Sequence, residues 1–405
     1  MSRDRLWFLA TVLFVLQWIM LRALGVALPP QWQVCLTGLA IFGSAFLLSW
    51  AAELAQLEVP QSLAIAGVAL LAVLPEYAVD FYFAWMAGKD PAYTGYAMAN
   101  MTGANRLLIG VGWTAVVLFF WLKTRIRQIT LESFREKDLL ALTVATLYSF
   151  VIVVKGDLSL FDTVALLGIF VFYIISVARG ELSHPALGEG PAALIGALPA
   201  VARRFLTIVM FVYAGTGIFL AAEPFAEGLL ATGKSFGIEE FLLVQWLAPL
   251  ASEAPEFIIA LLFVARMNPG AGIGTLISSK VNQWTLLVGM LPLVYAISGK
   301  TFGAMHLDTR QVEELLLTAA QSFLAVIILA NLSFSIREGI ALFMLFVTQL
   351  VIPHPTVHYA YSFLYLLLGI GFLAVYKDNR NLFLARFYRL LPPKACKQKT
   401  HHPPA

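Results

Sequence analysis

The chain has 405 residues, 60% of them apolar and 13% charged, with a mean hydropathy of +0.81. Soluble proteins carry about 25% charged residues, so this composition excludes an ordinary soluble enzyme and a disordered regulator. A net charge of +3 is too small to attract nucleic acid, and two distant cysteines, Cys35 and Cys396, exclude a disulfide scaffold.

A membrane-spanning helix needs about 20 mostly apolar residues. Twelve such runs follow one another, at 6–27, 33–55, 62–87, 94–121, 138–154, 159–178, 203–230, 238–266, 271–298, 312–333, 337–353 and 357–376. They predict an all-α polytopic membrane protein, since a backbone in lipid must satisfy its own hydrogen bonds. The runs at 138–154 and 337–353 are short, which puts the count between ten and twelve. The first run is long and has no clean small-residue cleavage site after it, so it reads as a span. Residues 181–202, with Pro185, Gly188, Gly190 and Pro191, read as a linker between halves, and 377–405 as a basic tail. With twelve spans, nineteen loop and tail Lys/Arg residues fall on the side of the termini and six on the other. Basic residues concentrate on the cytoplasmic side, so both termini are expected there, in a plasma membrane of prokaryotic type.

Six ionisable residues form two clusters within the predicted spans: Glu76, Asp80, Arg106, Glu253, Glu256 and Lys280. A single such group often does no more than pair with a neighbour and hold helices together. Six in two clusters mark a functional site, because charge at membrane depth is costly.

The two clusters resemble one another. Leu74-Pro75-Glu76 is followed by Ala99-Asn100-Met101-Thr102-Gly103-Ala104-Asn105-Arg106, and Ala254-Pro255-Glu256 by Gly274-Thr275-Leu276-Ile277-Ser278-Ser279-Lys280. Five predicted spans separate equivalent helices, and an odd number inverts the second unit relative to the first. Inverted repeats with broken helices at mid-membrane are an architecture of secondary transporters. Each proline frees the carbonyl four residues back, on Leu71 and Ala251, which then needs another partner. Glu76 and Asp80 share one helix face, as do Glu253 and Glu256. Such carboxylates, with amide and hydroxyl oxygens from Asn100, Asn105, Thr275, Ser278 and Ser279, suit a hard cation.

These residues resemble the sodium/calcium exchanger family of the calcium/cation antiporter superfamily. That family carries two repeats, each with a Pro-Glu helix followed by a Gly/Asn/Ser-rich element. Phe42-Gly43-Ser44, Ala51-Ala52-Glu53-Leu54-Ala55 and Arg337-Glu338-Gly339-Ile340-Ala341-Leu342 look like its flanking helices. The resemblance implies a ten-helix core of two inverted five-helix units. The first repeat would occupy 33–180 with its motif at 72–112, and the second 203–353 with its motif at 252–289. Residues 1–32 and 354–376 would be additional helices. It implies Glu76 and Glu256 as metal ligands and Asn100 as a further ligand, with Thr275 as the counterpart of Asn100 in the second repeat. Asp80 and Glu253 would assist or carry protons.

The departures are specific. Ala72 and Val73 replace the usual Thr-Ser, Glu253 replaces a small polar residue, and Lys280 replaces an Asn while Arg106 follows its counterpart Asn105. A lysine beside Glu76 or Glu256 would occupy the place of a cation and favour proton coupling, with Arg106 compensating charge. The expected function is therefore secondary antiport of Ca2+ against Na+ or H+. The alternatives are a monovalent cation/H+ antiporter using Lys280 as counter-charge, a channel, and a transport-dead scaffold or sensor. Partners would be inorganic cations and the bilayer, with no organic cofactor. An enzyme is disfavoured because all six histidines, His184, His306, His354, His358, His401 and His402, read as loop or tail residues away from any intramembrane carboxylate.

Overall fold

A computed structural model of the chain describes residues 3–55, 57, 74–132, 135–178, 190–352, 354–376 and 381. The first part of the run at 62–87, the Leu71 carbonyl, Ala72 and Val73, and nearly all of the tail lie outside the described residues.

The protein is built almost entirely of helices. They are α1 (Arg3–Ala23), α2 (Pro30–Ala55), α3 (Leu74–Ala87), α4 (Tyr93–Leu107), α5 (Thr114–Thr124), α6 (Glu136–Lys155), α7 (Leu160–Ala178), the short α8 (Pro191–Gly196), α9 (Ala200–Phe236), α10 (Glu240–Ala265), α11 (Pro269–Asn282), α12 (Val288–Gly299), α13 (Thr309–Ile328), α14 (Ile336–Val351) and α15 (Pro355–Val375). Among the described residues nine helical stretches are long and apolar enough to cross a membrane, and ten if the bent α10 is included. Each of the twelve apolar runs contains a helix; α3 and α14 are the two of 14 and 16 described residues. Apolar side chains such as Val154, Val201, Phe219 and Leu367 remain on the outer surface of the bundle, as helices facing lipid require.

Two small antiparallel ribbons reveal the symmetry. β1 (Gln128–Thr130) follows α5 and pairs with β4 (Ser333–Ser335), which follows α13. β2 (Asp157–Leu158) follows α6 and pairs with β3 (Met305–His306), which follows α12. Within one five-helix unit, the segments before and after the fourth helix lie at its opposite ends. Each ribbon joins the first kind of segment from one unit to the second kind from the other, so the two units are inverted. The packing agrees: α2 lies on α9, α6 on α13, α3 on α12 as α10 on α5, and α7 on α12 as α14 on α5. Helices α1 and α15 stand outside this exchange, α1 on α2 and α15 on α13.

The centre of each unit is a broken helix. A π-helical turn, Leu108–Trp113, separates α4 from α5, and another, Gln283–Leu287, separates α11 from α12. Such turns shift the helical register and leave backbone groups off the α-helical ladder, commonly at functional sites. Helix α10 bends by 48° between Glu253 and Glu256. Helix α4 crosses α10 at Gly103, where an added Cβ would stand 1.8 Å from the Gln245 carbonyl oxygen. Gly103→Ala must push two backbones apart. It is expected to cost about 1–3 kcal/mol, read as a lowered Tm in detergent; an unchanged Tm would contradict this packing.

Candidate functional site

Where the broken helices meet, α3 and α10 bring four carboxylates together. Glu76 and Asp80, one turn apart on α3, are 3% and 0% exposed, and Glu253 on α10 is 1% exposed. Glu256, almost one turn after Glu253, is half-buried. Glu76 lies in electrostatic reach of Glu253, Asp80 and Glu256. One side chain bridges two of them: the Gln283 Nε2 donates to Glu76 Oε2 at 3.1 Å and to Glu253 Oε1 at 2.9 Å. Gln283 opens the π-turn of the second unit, so the break in that helix aims its amide at the carboxylates of both units.

Many polar atoms here have no hydrogen-bond partner among the described residues. They include Glu76 Oε1, both oxygens of Asp80, Glu253 Oε2, Glu256 Oε2, Ser279 Oγ and both polar side-chain atoms of Asn100. Asn100 lies beside Asp80, and Ser279 beside Glu256, short of hydrogen-bond geometry in each case. Unsatisfied buried oxygens are expensive. Carboxylate, amide and hydroxyl oxygens are the donors a hard cation takes up.

The cationic side chains stand next to this cluster and are engaged elsewhere. Lys280 is fully buried, and its Nζ donates to Asn105 Oδ1 at 2.8 Å and to the Asn105 carbonyl at 3.0 Å, with the Trp284 ring 4.6 Å away. Lys280 stands within electrostatic reach of Glu253 and Glu76, as expected of a lysine beside these glutamates, but its hydrogen bonds go to Asn105, the matching position of the other unit. Asn105 completes its own bonds by donating Nδ2 to the Met101 carbonyl at 2.8 Å. Arg106 does not compensate the four carboxylates directly; it is ion-paired to Glu314 of α13 and lies 5.0 Å from the Trp246 ring.

Two hydroxyls stand apart from the carboxylates in their bonding. Thr275 is half-buried and donates to the Ala271 carbonyl of its own helix at 3.0 Å. Ser278 accepts from Arg135 at 3.2 Å and lies 3.4 Å from Asp138. Gln283 went unrecognised in the sequence, although Asn282-Gln283 inside an apolar run is itself a signal. Glu313 and Glu314, near the start of the run at 312–333, are two further buried carboxylates, both 2% exposed. The histidine reading needs correction too: His358 is buried within α15, 2.7 Å from Glu313. Its position four residues into the helix made it look like a loop residue.

Comparison with known proteins gives the following. A family model described as sodium/calcium exchanger protein matches residues 30–178 and 206–353. The structure of an H+/Ca2+ exchanger, CAX, is 43% identical, with a TM-score of 0.92 over 96% of this chain and 98% of that one. Structures of the sodium-calcium exchanger NCX_Mj share the fold. One soaked with 2.5 mM Na+ and 1 mM Sr2+ is 15% identical, with a TM-score of 0.54 over 80% of this chain and 99% of that one. Another, soaked with 10 mM Na+ and zero Ca2+, is 16% identical, with a TM-score of 0.52 over 85% and 100%. A search of curated proteins finds no match.

Because Gln283 holds carboxylates of both units, Gln283→Ala should lower equilibrium affinity for a transported cation by about 10- to 100-fold. Radiolabelled Ca2+ binding to purified protein would measure this; unaltered affinity would remove Gln283 from the site.

Proposed function

The chain belongs to the sodium/calcium exchanger family, a family of integral membrane cation transporters, and on that premise we propose that it is a secondary active antiporter exchanging Ca2+ for protons. The observation that carries this reading is the carboxylate quartet Glu76, Asp80, Glu253 and Glu256, with at least one unpartnered oxygen on each. Several charged carboxylates in a low-dielectric interior require neutralisation. A divalent cation achieves it in one state and protons in the other, and that alternation is the chemistry of exchange. The 43% identical relative described as an H+/Ca2+ exchanger supports protons over Na+ as the counter-ion.

Glu76 and Glu256 serve as the central ligands, one from each unit. Asn100 offers a neutral oxygen beside Asp80, and Ser279 one beside Glu256. Asp80 and Glu253 complete the charge and exchange protons. Lys280 places its ammonium on Asn105 and leaves the glutamate oxygens to the ion, which favours a divalent cargo over the monovalent reading. The inverted units supply two gates around this site, opening to either side in turn. The excess of basic residues on the side of the termini supports a cytoplasmic location for both.

In proteoliposomes, an outward-directed proton gradient (interior acidic) is expected to drive Ca2+ uptake, and an equal outward Na+ gradient is not. Glu256→Gln should reduce uptake at least about 100-fold while the protein stays folded. Uptake driven by Na+ alone would overturn the proton assignment, and silence under both gradients would overturn the transport reading itself. A second expectation concerns Lys280: Lys280→Met removes the donor to two Asn105 oxygens, which should lower stability by about 1–3 kcal/mol in detergent melting. An unchanged midpoint would contradict that role.

A further inference from the structure

Away from the carboxylate quartet, the first two turns of α13 and α15 bring three metal-binding side chains together. Glu313 and Glu314 come from α13 and His358 from α15, and one ligand atom from each lies within 4.8 Å of the other two. His358 Nδ1 is 2.7 Å from Glu313 Oε1 and 3.6 Å from Glu314 Oε1. With metal–nitrogen and metal–oxygen bonds of about 2.0–2.2 Å, two donors on a tetrahedral ion stand roughly 3.4 Å apart. The two observed separations bracket that value.

A second feature points to a ligand. His358 Nδ1 has no aligned hydrogen bond despite its closeness to Glu313, and Glu313 Oε2 has no partner among the described residues. Both residues are buried, at 8% and 2% exposed. The short approach of an imidazole nitrogen to a carboxylate oxygen, with a second carboxylate oxygen 3.6 Å away, leaves room for a shared cation once the side chains relax by a few tenths of an ångström. Arg106 supplies one positive charge to the two carboxylates through its ion pair with Glu314 Oε2, which leaves a formal negative charge and Glu314 Oε1 free to face His358. That pair fixes the orientation of Glu314, as outer partners of metal ligands commonly do.

We propose that Glu313, Glu314 and His358 form a second metal site, distinct from the carboxylate quartet, which takes a borderline-soft divalent cation of the Zn2+ class. Imidazole combined with two carboxylates suits Zn2+ better than Ca2+ or Mg2+, which prefer all-oxygen shells. The site ties α15, which lies beyond the matched residues 206–353, to α13 of the second repeat. Through Arg106 it also reaches α4, the helix that carries Asn100 and Asn105. The ion therefore fastens the outlying helix to the core and steadies the Glu314–Arg106 pair at the back of the transport site.

The test is Zn2+ titration by calorimetry of the full-length chain in detergent, purified without a histidine tag. The parent chain carries Glu256→Gln, which disables the central site, and His401→Ala with His402→Ala, which removes the tail histidines. One Zn2+ per chain is expected, with Zn2+ raising the melting temperature. His358→Gln added to this parent should weaken binding at least 100-fold and abolish the melting shift, and Glu313→Gln should do the same. The second variant decides the matter if the first does not fold. Equal Zn2+ affinity with and without a folded variant, or no binding by the folded parent, would overturn the site. Neither result depends on whether the chain transports Ca2+.

Discussion

A carboxylate inside a membrane-spanning bundle stays charged only if something beside it carries the opposite charge, and this fold gathers four carboxylates at one place. Glu76, Asp80, Glu253 and Glu256 come from two helices that belong to different repeats. The bent α10 and the π-turns at 108–113 and 283–287 follow from the same requirement. They interrupt regular helix where polar groups have to face inward, and Gln283 at the start of one interruption reaches both units.

The fixed cations are kept off these carboxylates by dedicated partners. Lys280 is held by both oxygens of Asn105, and Arg106, the residue after Asn105, is held by Glu314. On α4, Asn105 therefore anchors one buried base and its neighbour Arg106 is the other, while the same helix sets Asn100 beside Asp80. A salt bridge directly onto Glu76 or Glu256 would compete with any transported ion. Placing the bases one step away keeps their electrostatic influence without covering the carboxylate oxygens.

Much of this was legible in the sequence, because a charge in an apolar run stands out. The Pro-Glu pairs and the small-residue segments after them located both units, and the odd number of intervening spans implied inversion before the β1–β4 and β2–β3 ribbons displayed it. What escaped has a physical reason in each case. Gln283 is neutral and so raised no alarm. Glu313, Glu314 and His358 lie near helix beginnings, where charge is ordinarily solvated, and only the packing of α15 on α13 buries them. The partner of Arg106 lies 208 residues away, beyond the reach of local pattern. Lys280 invited an assignment to the glutamates because opposite charges attract, yet the structure joins it to the position that matches it in the other repeat.

The central claim is that one set of carboxylates binds Ca2+ and protons in alternation. The most direct measurement is the proton count on Ca2+ binding, from calorimetric titrations of the purified chain in buffers of different ionisation enthalpy. The account predicts that at least one proton is released for each Ca2+ bound, and that Glu256→Gln binds less Ca2+ and releases fewer protons. Tight Ca2+ binding with no proton released at any pH would contradict it.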